Sequence, residues 1–361
     1  MKQRIVVVGL GWACVPFLQN IDLDQYDVCV VSLSDEFVYT PLLAQNVLHR
    51  RKLTMKVKEI NKYVSFVSDE IVNVDFDKRQ IIAKTGAIRD YDILVLCHGA
   101  AINTFNIRGI HDYCHFLKTN EQARTLTRAV AALPQGSNVA VIGCGLTGVE
   151  LIGTLNDMRK FNIYAIDALE RPLTTFDEKW SRYVLNEWSK TRVNTRMKHM
   201  VDYVDKTRIH FKDGTPIAYD LAVWCGGIKK SSLTETIMNQ LKMNNRFGIC
   251  VDGELRVINK SDVYAMGDCA YSKHPPTAQV AYQQGAYLAK ALNNRSKLCD
   301  PFVFNNRGQI GYIGNNKSVC SLPYFSSGGN LVYYLNTVIH MYNGINWKQR
   351  RNLCIQTGGL E

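Results

Sequence analysis

Apolar runs of four to six residues alternate along the chain with glycine turns and with stretches of three–four apolar spacing. Residues 4–8 are a β-branched run. Gly9-Leu-Gly11-Trp12-Ala-Cys14 follows, then Val15, Phe17, Leu18 and Ile21 at helical spacing, then a second apolar run at 28–31 that ends at Ser32. This order predicts strand, glycine turn, helix and strand, the opening of a dinucleotide-binding βαβ unit. The glycines let the backbone approach a diphosphate, and the helix N-terminus offers free N–H groups and a positive dipole. The third glycine position holds Cys14, so this turn alone does not separate a nucleotide site from an ordinary strand–helix turn.

The same layout returns. Residues 139–142 form a strand and Gly143-Cys-Gly145-Leu-Thr-Gly148 is a complete box. A helix is predicted through Val149, Leu151, Ile152 and Leu155, then a strand at 163–166 that ends in Asp167. Two copies of one layout make an architectural repeat. Two dinucleotide folds on one chain imply two nucleotides held together, and the usual reason is electron transfer from a nicotinamide to a flavin. An acid at the end of the second strand accepts from both ribose hydroxyls and repels a 2′-phosphate. Asp167 therefore points to NAD rather than NADP. Ser32 leaves the first nucleotide open.

Composition narrows the class. The chain has 361 residues, 46% apolar and 21% charged, enough for two or three folded units. No apolar run reaches the roughly 18 residues of a membrane-spanning helix. Lys and Arg number 43 against 32 acids, a net charge of +11 that suits an anionic partner. The 11 cysteines contain no C-x-x-C pair. Zinc ribbons and thioredoxin-like centres are thus not expected, and no metal is expected. Several cysteines lie in apolar runs and read as small core residues in a reducing compartment. The apolar strand starts by Ile5, so no presequence is expected ahead of it.

Residues 262–270 read as a strand running into Gly267-Asp268. With that turn the chain resembles the flavoproteins with two dinucleotide-binding domains. The resemblance makes Asp268 the partner of the FAD ribityl chain. It also places small-residue turns after the strands at 91–97 and 221–225, at Gly99 and at Gly226. Cys97-His98-Gly99 departs from the commoner Ala-Thr-Gly there. Within that superfamily the chain is similar to the eukaryotic branch of the type II, or alternative, NADH:quinone oxidoreductases. The blocks that carry this are Gly9-x-Gly11-Trp12, residues 37–43 (FVYTPLL), 103–109, 115–118, and 277–285 (TAQVAYQQG). The resemblance runs from Ile5 to about Gly314. There is no EF-hand insertion, and the last stretch matches only loosely.

The resemblance implies an α/β fold of FAD/NAD-linked reductase type, with two Rossmann-like domains and a short C-terminal region. The implied boundaries are 1–110 and 250–314 for FAD, 111–249 for NADH, and 315–361 for membrane association or dimerisation. FAD would be non-covalent, held by Gly9, Gly11, Trp12, Ser32, Gly99, Gly267, Asp268 and Ala278. NADH would meet Gly143, Gly145, Gly148, Asp167 and Gly226. The implied reaction passes a hydride from NADH to FAD and two electrons to quinone, without proton pumping.

The resemblance puts Glu150 beside the nicotinamide and flavin. A carboxylate favoured by the helix N-terminus is the plainer reading. Gln279 and Gln283 fall at i and i+4 on a helix face that also carries Tyr282. The resemblance assigns that face to quinone; a solvated polar face competes. His98, His111, His115 and His340 read as ordinary surface or turn residues.

The tail from 318 to 347 has no Asp, Glu, Lys or Arg, and its apolar residues recur at helical spacing from Leu331 to Ile345. Trp347-Lys348-Gln-Arg350-Arg351 follows. This predicts an interfacial helix on an anionic membrane, and a helix closing a homodimer or covering the core fits the same pattern. The expected location is peripheral, at the mitochondrial inner membrane by family analogy, with the cytoplasm open because no presequence is visible.

Three alternatives stand beside this. A sulfide:quinone oxidoreductase needs redox cysteines rather than the intact Gly143–Gly148 box. An NADH-dependent flavoprotein with a non-respiratory acceptor, resembling the apoptosis-inducing-factor relatives, differs only in its acceptor. A degenerate, non-catalytic relative would lack flavin. No nucleic-acid partner is expected, since the cluster of Arg50, Arg51 and Lys52 reads as a solvated or lipid-facing surface.

Overall fold

A computed structural model of the chain describes residues 2–49, 51–245, 247–294 and 300–342. The chain forms two compact units. One comprises Met1–Val38, Thr54–Ala101 and Ile228–Asn306; the other comprises Tyr39–Leu53, Ile102–Gly227 and Arg307–Glu361.

The first unit is built on a five-stranded parallel sheet. Its spatial order is Val263–Ala265, Ile93–Leu96, Gln3–Val8, Tyr26–Ser32 and Ser65–Ser68. The central strands Gln3–Val8 and Ile93–Leu96 are mostly apolar on both faces because both faces are covered. Ile5, Val7, Val28, Val30, Ile93 and Val95 pack with Phe17, Leu18, Leu288 and Leu292 on one side. Val6, Val8, Leu94 and Leu96 pack with Ile71, Ile81, Leu233 and Ile237 on the other. The helix Cys14–Asn20 lies against the helix Ala278–Asn293. A Cβ on Gly285 would sit 1.9 Å from the carbonyl oxygen of Ala13, so only glycine permits that approach. Ile21 falls outside the first helix: it is the extended residue that ends it, buried where the chain turns away.

The second unit repeats the plan. Its parallel sheet runs Cys114–Phe116, Leu221–Trp224, Asn138–Ile142, Asn162–Ile166, Val193–Arg196. In both sheets the glycine-turn strand is central. The strand after its helix lies on one side of it, and the strand followed directly by a cysteine (Cys97 or Cys225) lies on the other. A small antiparallel sheet over Val201–Val204, Arg208–Phe211 and Ile217–Ala218 covers one face through Ile209 and Phe211.

The unit ends in a three-stranded antiparallel meander, Gln309–Gly314, Lys317–Leu322 and Phe325–Gly329, and then the helix Asn330–Tyr342. The first meander strand packs on the helix Leu146–Asp157; a Cβ on Gly153 would fall 2.5 Å from the backbone at Ile313 and Gly314. The tail helix expected over 331–351 is present to Tyr342, and its aromatic and basic end, Trp347 to Arg351, lies outside the described residues.

No described helix is long and apolar enough to cross a membrane. Among the described residues no cluster of His, Cys, Asp or Glu is arranged to hold a metal ion. The nine described cysteines are free thiols.

Candidate functional site

Each unit presents a glycine turn at the carboxyl end of its parallel sheet, where ligands bind in open α/β folds. In the first unit the Gly9 N–H donates to the Val31 carbonyl at 2.9 Å, and the Cys97 N–H donates to the Val8 carbonyl at 2.9 Å. Gly9 has φ +105°, and a Cβ there would lie 2.5 Å from the His98 Cα. The turn therefore rests directly on the Cys97-His98 backbone. Gly11 is roomier, its nearest neighbour being the Cys97 carbonyl oxygen at 3.6 Å from a built Cβ. Trp12 is half-buried, edge-on to Phe37 at 5.2 Å. Ser32 is the last residue of its strand, as expected.

Gly99 and Gly267 both turn with positive φ on this side of the unit. Asp268 lies in the short 3-10 turn Gly267–Cys269. That turn is held by Gln284, which is wholly buried: its Oε1 accepts from the Gly267 N–H at 2.7 Å and its Nε2 donates to Ser272 Oγ at 2.8 Å. Ala278 opens the helix whose N-cap, Thr277, accepts from the Val280 N–H at 3.2 Å. On that helix Gln279 is half-buried and Tyr282 is exposed. Gln283 is turned to a backbone task. Its amide donates to the Asn305 carbonyl and accepts from the Asn305 N–H, both at 2.9 Å.

The second turn matches the first bond for bond. The Gly143 N–H donates to the Ile166 carbonyl at 2.8 Å and the Cys225 N–H to the Ile142 carbonyl at 2.7 Å. A Cβ on Gly143 would lie 2.7 Å from the Cys225 carbonyl, and one on Gly148 would lie 1.8 Å from the Gly143 carbonyl oxygen. Gly145 is the N-cap of the following helix, with open space where a side chain would be. Gly226 lies against the ring of Trp224. Asp167 is fixed at both oxygens: Oδ2 accepts from the Cys144 N–H at 2.6 Å, and Oδ1 accepts from the Leu169 N–H at 2.8 Å. The acid thus ties the end of its strand to the glycine turn beside it.

Glu150 is buried on the helix Leu146–Asp157, and burial pushes its carboxyl up to about 8. Its Oε1 faces the Tyr312 N–H at 3.4 Å. The Tyr312 hydroxyl donates to Asp157, two turns further along the same helix, whose carboxyl burial also raises. Burial therefore raises two acids on this helix, and both are turned to one strand.

Comparison with known proteins decides the family. Residues 3–285 match the model of the pyridine nucleotide-disulphide oxidoreductases. An internal alternative NAD(P)H-ubiquinone oxidoreductase A1 of Solanum tuberosum is 30% identical over 89% of this chain and 77% of its own length. A probable NADH dehydrogenase of Dictyostelium discoideum is 29% identical, over 91% of this chain and 82% of its own. The chain belongs to the type II NADH:quinone oxidoreductases. The type II fold is matched throughout: NDH2 of Plasmodium falciparum in complex with NADH superimposes with a TM-score of 0.91, over 99% of this chain and 97% of that one, at 22% identity. The sulfide:quinone oxidoreductase of Aquifex aeolicus shares the fold at a TM-score of 0.76 and 13% identity.

Against this type II frame the sequence reading missed four residues and misjudged two. Gln284, Tyr312 and Asp157 carry hydrogen bonds that position the turns and Glu150. Thr234 holds His98, its Oγ1 lying 2.9 Å from His98 Nε2. Only Gln284 had a signal, its place inside the Gln-Gln-Gly block. His98 and His340 are not ordinary surface residues. Burial lowers both to about 4, and His340 Nδ1 lies 3.1 Å from the Tyr39 hydroxyl. Each is drawn inward by a partner far away in sequence.

Proposed function

We propose that this chain oxidises NADH and reduces a membrane quinone through a non-covalently held FAD, without moving protons across the membrane. The observation that carries this is the pair of equivalent glycine turns, each closed on the cysteine that follows a neighbouring strand, one of them with an acid in the ribose position. The residues of the first unit fit FAD. Gly9 has no room for a side chain, Gly11 and Gly99 leave backbone open to a ligand, and Nδ1 of His98 is a buried polar atom with no partner among the described residues. Gly9, Gly11, Trp12, Ser32, Gly99, Gly267, Asp268 and Ala278 would hold it, with Asp268 accepting from the ribityl hydroxyls.

FAD, when bound, supplies the two-electron chemistry that joins a hydride donor to a quinone. The chain's own residues orient and protonate. Gly143, Gly145 and Gly148 receive the NADH diphosphate, Gly226 borders it, and Asp167 binds the adenosine ribose. Glu150 holds a proton near neutral pH. Gln279 presents an amide on the helix that the family reading assigns to quinone, with Tyr282 beside it. Gln283 serves that face by anchoring residue 305.

The tail supports peripheral membrane docking. The helix Asn330–Tyr342 buries Val332, Asn336 and His340, while Leu331, Tyr334, Val338 and Tyr342 are exposed on its other side. An apolar stripe left in water by a helix whose opposite face is already packed suits a lipid surface. Steady-state assay with NADH and a water-soluble quinone tests the activity. Turnover with stoichiometric loss of NADH is expected. Turnover with ferricyanide but with no quinone would favour the non-respiratory reading. A homodimer through the tail would show as a concentration-dependent mass, unaffected by liposomes.

A further inference from the structure

His98 stands where the commoner turn has a threonine, and its surroundings are unusual for a turn residue. Its backbone is the floor of the Gly9 turn, 2.5 Å from where a Gly9 Cβ would be. Its ring is fixed from one side only. Nε2 lies 2.9 Å from Thr234 Oγ1, and Thr234 Oγ1 lies 3.0 Å from Ser231 Oγ. Ser231 is the N-cap of the helix Ser232–Gln240 and accepts from the Thr234 N–H at 3.2 Å. Thr234 is wholly buried. The other ring nitrogen, Nδ1, is buried with no hydrogen-bond partner among the described residues.

A buried polar atom without a partner is destabilising, so such atoms are normally met by a ligand or a water. Burial keeps the ring neutral, with one N–H and one bare nitrogen. If Nε2–H donates to Thr234, the hydroxyls pass on to Ser231 and Nδ1 is an acceptor. If Thr234 donates to Nε2, Nδ1 carries the proton. A dinucleotide crossing the Gly9 turn meets either need, because its ribose hydroxyls donate and its phosphate oxygens accept.

We infer that His98 is an FAD-binding side chain, its Nδ1 bonding the diphosphate–ribose stretch of the cofactor and its Nε2 locking the ring through Thr234 and Ser231. This rests on the reading of the first unit as the FAD unit.

Two near-isosteres separate the two nitrogens. His98→Gln keeps a polar atom in reach of Thr234 and has none at the Nδ1 position. His98→Asn does the reverse. Apoprotein of each is titrated with FAD by quenching of flavin fluorescence, and the melting temperature of each apoprotein is recorded. His98→Gln should weaken FAD binding about tenfold while melting like the wild type. His98→Asn should bind FAD within about threefold of wild type and melt lower. The opposite order, or equal affinity in all three proteins, overturns the inference and leaves His98 a structural residue with a water at Nδ1. Failure of the wild-type protein to bind FAD would overturn the reading of the unit itself, a result that these variants cannot mimic.

Discussion

The carboxyl of Glu150 faces the backbone N–H of Tyr312, and burial holds it protonated to about pH 8. A glutamic acid that keeps its proton at neutral pH costs little to bury and can give that proton up when a negative charge forms nearby. The sign of the stability effect follows. Its folded pKa lies above the unfolded value, so between about pH 4.5 and 8 the folded state binds the extra proton and stability falls as pH rises. Glu150→Gln removes this dependence. Denaturant midpoints across that window should slope down for the wild type, by up to about 1.4 kcal/mol per pH unit, and be flatter for the variant. Parallel curves would show that Glu150 is ionised when folded.

In the proposed function Asp167 selects the donor. A carboxylate already tied to the Cys144 N–H cannot swing away from a 2′-phosphate. NADH should exceed NADPH by about tenfold or more in kcat/KM, and Asp167→Asn should narrow the gap chiefly by improving NADPH. Equal efficiency in the wild type would mean the acid only orders its own loop.

Gln284 links the Asp268 turn to its helix through a bond to Gly267. Gln284→Leu keeps the bulk but leaves a Gly267 N–H unpaired. It should cost about 1–3 kcal/mol and reduce FAD content on purification. Unchanged flavin content would show that the turn is held by other contacts.

The tail helix is best tested on its exposed side. Its buried side, with Val332 and the His340–Tyr39 contact, belongs to the second unit's packing. Val338→Glu with Leu331→Glu should leave flavin and melting temperature unchanged. Cosedimentation with anionic liposomes should fall, and so should activity with a long-tailed quinone. Loss of flavin instead would make the stripe an internal surface.

How much of this was readable varies by the range of the contact. The two glycine turns, their strands and Asp167 were legible because a βαβ unit writes its turn, helix and second strand within a short segment. The tail stripe was legible from its three–four spacing. Glu150 was legible as a position but its surroundings were not, since Tyr312 lies 162 residues away. The same holds for His98 with Thr234, at a separation of 136, and for His340 with Tyr39, at 301. Isolated histidines in a sequence carry no mark of the pocket that topology closes around them. Gln283 shows the converse: helical spacing put it beside Gln279, and the backbone of the returning chain at Asn305 claimed its amide.

In the proposed function one chain holds a flavin reducible by NADH and oxidisable by quinone. The most direct measurement is the visible spectrum of the purified protein under anaerobic conditions, alone, then with NADH, then with quinone. A flavin spectrum that NADH bleaches and quinone restores is expected. A protein without flavin, or a bleached spectrum that quinone leaves unchanged, would contradict it.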